Sequence, residues 1–112
     1  MKKSDFYITT VYGLKKKSGY VGKFEGICLG IHKDKNDKYW RVTELSSGFR
    51  VSDFYDCKND AVAIINSAFI ERIKDKMSKH KTIGKYQEDI HNKYLQDDDE
   101  KLANSYEILY GE

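Results

Sequence analysis

Apolar residues fall in short clustered or alternating runs over the first half of the chain and recur every three or four positions over the second, which divides it into a β part and an α part. Asp5 to Leu14, with its run Phe6-Tyr7-Ile8-Thr9-Thr10-Val11-Tyr12, is rich in the aromatic and β-branched residues that suit a pleated, half-buried surface, and predicts a first strand. Polar Lys15 to Gly19 predicts a hairpin connection into a second strand from near Tyr20 to near His32. Gly22, Gly26 and Gly30 lie four apart there, so in one strand they share a face, which accommodates bulky aromatics on the neighbouring strands. All-polar Lys33 to Lys38 predicts a turn, and Tyr39 to Leu45 a third strand with apolar groups on both faces. Ser46-Ser47-Gly48 then puts glycine where a three-residue hairpin needs positive φ, and Phe49 to Ser52 returns as a short fourth strand.

Beyond the sheet the period changes. Asp56 or Cys57 is placed to cap a helix, Asp60 suits its first turn, and Val62, Ile65, Phe69, Ile73 and Met77 form a stripe able to cover the sheet. Basic Arg72, Lys74, Lys76, Lys79 and Lys81 suit its C-terminal end, and Gly84 suits its stop. Tyr86, Ile90 and Tyr94 mark a second helix; Asp97, Asp98 and Asp99 offer a cap for a last one carrying Leu102, Tyr106 and Leu109. The expected fold is α+β: an antiparallel sheet of three or four strands packed by one amphipathic helix, with a helical C-terminal extension. One domain spans residues 1–112, as a meander over 5–52, a packing helix over 57–80 and an acidic helical extension over 85–112, without an internal repeat.

Composition refines this picture. Nine Tyr, five Phe and Trp40 supply the large apolar areas that disordered chains lack, so the chain is expected to fold despite 34% charged residues. Neither a long apolar run nor a basic-then-apolar leader is seen, and a cytoplasmic protein is expected. Cys28 and Cys57 then read as reduced, buried packing residues. The net charge of +2 conceals an asymmetry: residues 1–85 sum to +8 and residues 86–112 to −6. A basic body attracts polyanions, while an acidic segment can repel nucleic acid, mask the basic face or enter another molecule's basic groove; two ordinary solvated surfaces are the plainer alternative.

Candidate chemistry is sparse. Cys28, His32, Cys57, His80 and His91 are scattered, so neither a metal nor another cofactor is expected. No general acid-base pair or phosphate loop can be pointed to, and the chain reads as non-catalytic. Aromatic residues interleaved with basic ones are the strongest partner signal. Lys23, Tyr39, Arg41, Arg50 and Lys58, with Tyr7 and Tyr20, on an antiparallel sheet suit stacking on bases and holding phosphates.

Three resemblances bear on function. Phe6-Tyr7-Ile8 and Tyr20-Val21-Gly22-Lys23 weakly resemble the strand motifs of GIY-YIG endonucleases, but Phe6 replaces the first glycine and no arginine-bearing helix follows soon after. Trp40 to Ala63, with its turn glycine and its Cys57-Lys58-Asn59-Asp60-Ala61 helix start, resembles the sheet-helix arm-binding domains of phage and transposon integrases; that resemblance implies DNA contacts from Arg41, Arg50 and Lys58. In overall type the chain resembles accessory proteins of phages and mobile elements, including anti-CRISPR proteins, a likeness that transfers no functional residue.

The function expected is therefore a non-catalytic binding protein that inhibits or modulates a host nucleic-acid-handling complex, of the CRISPR-type defence kind, by protein–protein contact. Asp97, Asp98, Asp99, Glu100 and Tyr94 are its expected contact residues, the carboxylates competing with phosphates for a basic groove. Direct nucleic-acid binding by the sheet is the alternative, and a degenerate nuclease the remote one.

Overall fold

The computed structural model describes residues 1–34 and 36–111; Lys35, in the expected polar turn, and Glu112 lie outside the described residues. Five strands, β1 (Lys2–Thr10), β2 (Gly13–Phe24), β3 (Ile27–Asp34), β4 (Tyr39–Glu44) and β5 (Phe49–Arg50), form one antiparallel sheet in the order β1-β2-β3-β4-β5. The α+β class and the meander agree with the pattern of the chain, whereas the strand count and two turns differ. The first hairpin turns at Val11-Tyr12, not at Lys15 to Gly19. Val11 and Tyr12 are 92% and 97% exposed, so two apolar residues form a solvent-facing tip. Lys15, Lys16 and Lys17 lie within β2, opposite Ile8, Tyr7 and Phe6.

A second turn divides the strand expected over residues 20–32. Glu25 and Gly26 have φ of 49° and 85°, the pair of left-handed residues that a two-residue hairpin of matching twist requires. Gly26 is thus a turn residue, and the register puts Gly22 opposite Leu29 and Gly30 opposite Val21, on the two different faces. The expected shared glycine face does not form. Gly30 is instead a point of close approach, where an added Cβ would sit 2.7 Å from Phe6 and 2.8 Å from Leu45.

That approach from both flanks means the sheet curls. Its concave side is filled by Phe6, Ile8, Val21, Cys28 and Leu45, with Ile108 and Leu109 packed against them. The curl is fastened where the Thr9 N–H donates to the Gly48 carbonyl at 2.9 Å and the Thr9 hydroxyl to the Ser47 carbonyl at 2.6 Å. The loop from β4 to β5 has four residues, Leu45 to Gly48, rather than the expected three, and Gly48 takes φ of 74° at its end.

On the convex side Leu29, Ile31 and Val42 meet Ala61, Phe69, Ile70 and Ile73, with Val62, Ile65 and Met77 at the margin, so the predicted stripe does roof the sheet. Each fully buried aliphatic side chain here contributes about 1.5–3 kcal/mol. The roof is two helices rather than one, α1 (Lys58–Ala63) and α2 (Ser67–Lys79). Asn66 separates them because its side chain accepts the Phe69 N–H at 2.9 Å, a cap that starts a new helix. Cys57 is the N-cap of α1 but its side chain makes no cap bond, and it is exposed; only Cys28 is buried as expected, and both thiols are free.

Two further helices follow, α3 (Ile83–Gln96) and, after a 3-10 turn over Glu100–Leu102, α4 (Ala103–Tyr110). Gly84 lies in the first turn of α3, so the predicted stop falls earlier, at His80. The C-terminal segment is part of the core rather than an appendage: Ile90, Tyr94 and Leu102 bury against Tyr7, and Ser105 donates to the Asp5 carbonyl at 2.7 Å.

Candidate nucleic-acid interface

On the convex side of the sheet, beside the helical roof, two rings stand together. Tyr20 of β2 is paired with Lys3 of β1 and Ile31 of β3; Trp40 of β4 is paired with Lys33. Because Ile31 also pairs with Val42, two residues from Trp40, the register puts Tyr20 and Trp40 on the same face. Their centroids are 6.3 Å apart and their planes 36° from parallel. Trp40 is held by a backbone bridge to Tyr55, with N–H to carbonyl distances of 2.8 and 2.9 Å.

Lysines surround the pair. Lys58, projecting from α1, lies 4.0 Å from the Tyr20 centroid, and Lys33 lies 5.7 Å from the Trp40 ring. Lys3 on the same face and Lys17 from the opposite face of β2 line a shallow cleft of about 380 Å³ beside the pair, with Ser18, Gly19 and, as the carboxylate, Asp37. Gly19 is required there, since a Cβ would come 2.2 Å from the Ile31 carbonyl oxygen. Among the described residues none of these four lysines forms an ion pair. The arrangement can stack a planar group on half-exposed rings while ammonium groups meet the charge attached to it.

Of the residues expected at a nucleic-acid surface, Tyr20 lines this cleft and Lys58 stands over its ring, while Lys23, Tyr39, Arg41, Arg50 and Tyr7 lie elsewhere. Lys23 sits near the Glu25-Gly26 turn, opposite Cys28. Tyr39, Arg41 and Arg50 point to the other face, where Asp34 lies 3.9 Å from Arg41 and 3.8 Å from Arg50. Arg41 also donates to the Ser52 carbonyl at 2.8 Å and covers Phe54 at 4.5 Å, and its pKa is lowered by burial and by the neighbouring Arg50 charge. The approach of Lys3, Lys17, Lys33 and Trp40 to Tyr20 depends on the hairpin positions, and a register built on the Glu25-Gly26 turn is the signal that reveals it.

The acidic segment is divided. Asp97 accepts a short hydrogen bond from the Tyr7 hydroxyl and lies 3.2 Å from Lys16, which also reaches Asp99 at 3.0 Å. Asp97 further accepts the Asp99 N–H, and Asp99 accepts the Lys101 N–H, each at 3.0 Å, so Asp99 caps the 3-10 turn. The Tyr7 hydrogen bond, then the Asp99 amide, then Lys16 bring the Asp97 carboxyl down to about 2. Tyr7 moves the opposite way, raised by burial and by Asp97. Only Asp98 and Glu100 of the four are exposed. Tyr94, expected beside them at the surface, is 4% exposed, with its hydroxyl 3.4 Å from the Tyr7 amide and its ring packed edge-on against Tyr7.

The remaining groups are dispersed. His32 is buried against Phe6, with Nε2 2.7 Å from the Thr43 hydroxyl and Nδ1 3.1 Å from the Lys33 carbonyl, and burial lowers its pKa. The Cys28 thiol donates to the Ile108 carbonyl at 3.4 Å, and burial raises its pKa. Among the described residues no three His, Cys, Asp or Glu side chains come together as a metal site. Phe6-Tyr7-Ile8 pairs with Lys15 to Lys17 rather than with Tyr20 to Gly22, so the two nuclease-like triplets are not side by side. Among the described residues no helix is long and apolar enough to cross a membrane. In comparisons with known proteins the chain matches no family, no curated protein and no solved structure.

Proposed function

We propose that the protein is a non-catalytic binding module that acts on nucleic-acid-handling machinery, in the manner of phage and mobile-element accessory proteins, and that it holds single-stranded nucleic acid on its convex sheet surface. The observation that carries this reading is the Tyr20–Trp40 pair with Lys3, Lys17, Lys33 and Lys58 around it. Stacking on such rings contributes about 1–3 kcal/mol per base without base-specific hydrogen bonds, and each phosphate met by a lysine adds counterion release. Trp40 is the sole tryptophan of the chain, so its emission reports on the site. Titration with oligothymidylate at low salt is expected to quench that emission, with affinity falling steeply as salt rises. Binding that is absent at low salt, or indifferent to salt, excludes the reading.

A second reading, protein contact with a host defence complex, is favoured by a different observation. Among the described residues Asp98 and Glu100 form no ion pair, and the Val11-Tyr12 tip projects two apolar side chains into solvent. Affinity capture from a host lysate with and without nuclease treatment separates the two: a partner retained after nuclease and lost on reversal of Asp98 and Glu100 supports protein contact. A partner lost on nuclease treatment supports the first reading.

A further inference from the structure

Away from the Tyr20–Trp40 cleft, a groove of about 560 Å³ opens between α2 and the chain from β5 to Tyr55. It is bordered by two rows of side chains from α2. Phe69, Ile73 and Met77, spaced four apart, make an apolar row; Arg72 and Lys76, also four apart and displaced from it by three positions, set two cations beside it, with the His80 ring four residues further on. Phe49 and Val51 line the facing wall. Two carboxylates are present as well: Glu44, whose oxygens are occupied by Ser46 and Ser47 at 2.6–3.0 Å, and exposed Asp53.

The cations of α2 divide by position. Lys74 and Lys79, outside the groove, lie 4.0 Å from Glu71 and 3.0 Å from Asp75. Arg72 and Lys76, on the groove, have no ion pair among the described residues. Unpaired cations above an apolar floor call for an anionic occupant that also brings apolar groups.

The geometry points to an acidic peptide segment of a partner protein, with apolar side chains between its carboxylates, as the occupant of this groove. Four residues of helix rise about 6 Å, and alternate residues of an extended chain repeat at roughly 6.6–6.8 Å, so successive carboxylates can meet Arg72 and Lys76 in turn. A small amphiphile brings one anionic head to these two cations. A sugar–phosphate backbone has no branched apolar side chain to set against Ile73 and Met77, whereas an unbranched methionine adapts readily to a leucine-sized guest.

The test uses a fluorescein-labelled ten-residue peptide alternating Glu and Leu, with a Gln/Leu and a Glu/Ser version as controls, read by anisotropy and by methyl resonances of Ile73 and Met77. The Glu/Leu peptide is expected to bind and to shift those methyls, with each control weaker by about tenfold or more. The pair Arg72→Glu and Lys76→Glu should weaken it by about tenfold, while the equally charged pair Lys74→Glu and Lys79→Glu leaves it within about twofold. All four are exposed, so their reversal leaves the core untouched. Equal binding of the Gln/Leu peptide, equal loss in both reversed pairs, or displacement by oligothymidylate overturns the assignment, the last by making the groove a nucleic-acid site. Because Tyr20 and Trp40 take no part, failure here leaves the cleft reading intact, and failure there leaves this one.

Discussion

The lysines around Tyr20 and the carboxylates of residues 97–100 are both dense charge clusters, yet they end in opposite circumstances. Asp97 and Asp99 are engaged by Tyr7, Lys16 and backbone amides, so half of the acidic cluster serves to fasten α3 and the 3-10 turn to the β1–β2 hairpin. Lys3, Lys17, Lys33 and Lys58 have gathered near two rings and, among the described residues, have no carboxylate paired to them. Charge density along a chain therefore does not measure the charge available to a partner. What decides it is whether folding brings an opposite charge within reach, as it does for Lys16, which meets Asp97 and Asp99, and among the described residues does not for Lys17 beside it in β2.

The largest expected effect that breaks this contrast is on binding. Tyr20→Ala should lower affinity for oligothymidylate by about 5- to 100-fold, the range of one lost stacking platform. Lys3→Glu combined with Lys33→Glu should reduce the salt slope by about 2, read as log affinity against log salt. A slope unchanged in that double variant removes the cleft from the binding surface. Next in size, Asp97→Asn should lower the urea midpoint of unfolding while Asp98→Asn leaves it unchanged, because only Asp97 has internal partners. Equal midpoints would mean that the acidic segment is as free as the lysine cluster.

The pH dependence sharpens the same point. With its folded pKa depressed to about 2, Asp97 contributes stability that is present above its unfolded value of 3.8 and is lost as pH falls from there through about 2. Urea midpoints measured across that window should fall in the native protein and fall less in Asp97→Asn. The smallest effect separates neighbouring lysines: Lys16→Met should lower the midpoint slightly, at low salt more than at high, and Lys33→Met should leave it unchanged. Identical responses would show that the Lys16 contacts carry no stability.

Local signals were enough to place the meander, the glycine turn at residue 48 and the apolar stripe of Val62, Phe69 and Ile73, because each depends on neighbours a few residues away. The Val11-Tyr12 turn was not legible, since two exposed apolar residues look like strand and three lysines look like loop; burial of Phe6 and Ile8 inside the curl sets that register instead. The Asn66 break was missed because the apolar period runs through it without interruption.

For the candidate sites the division is sharper. Sequence alone identified an aromatic, basic β part and an acidic C-terminal part, and it singled out Lys58 and Tyr20, which the fold brings together. Tertiary structure decided that Trp40 and Lys33 come to Tyr20 while Arg41 and Arg50 turn to Asp34, and that Tyr94 is core. The reason is the two-residue period of a strand: moving a turn by one residue exchanges its faces, so which side chains converge is settled only when the register of all five strands is fixed by what the core buries.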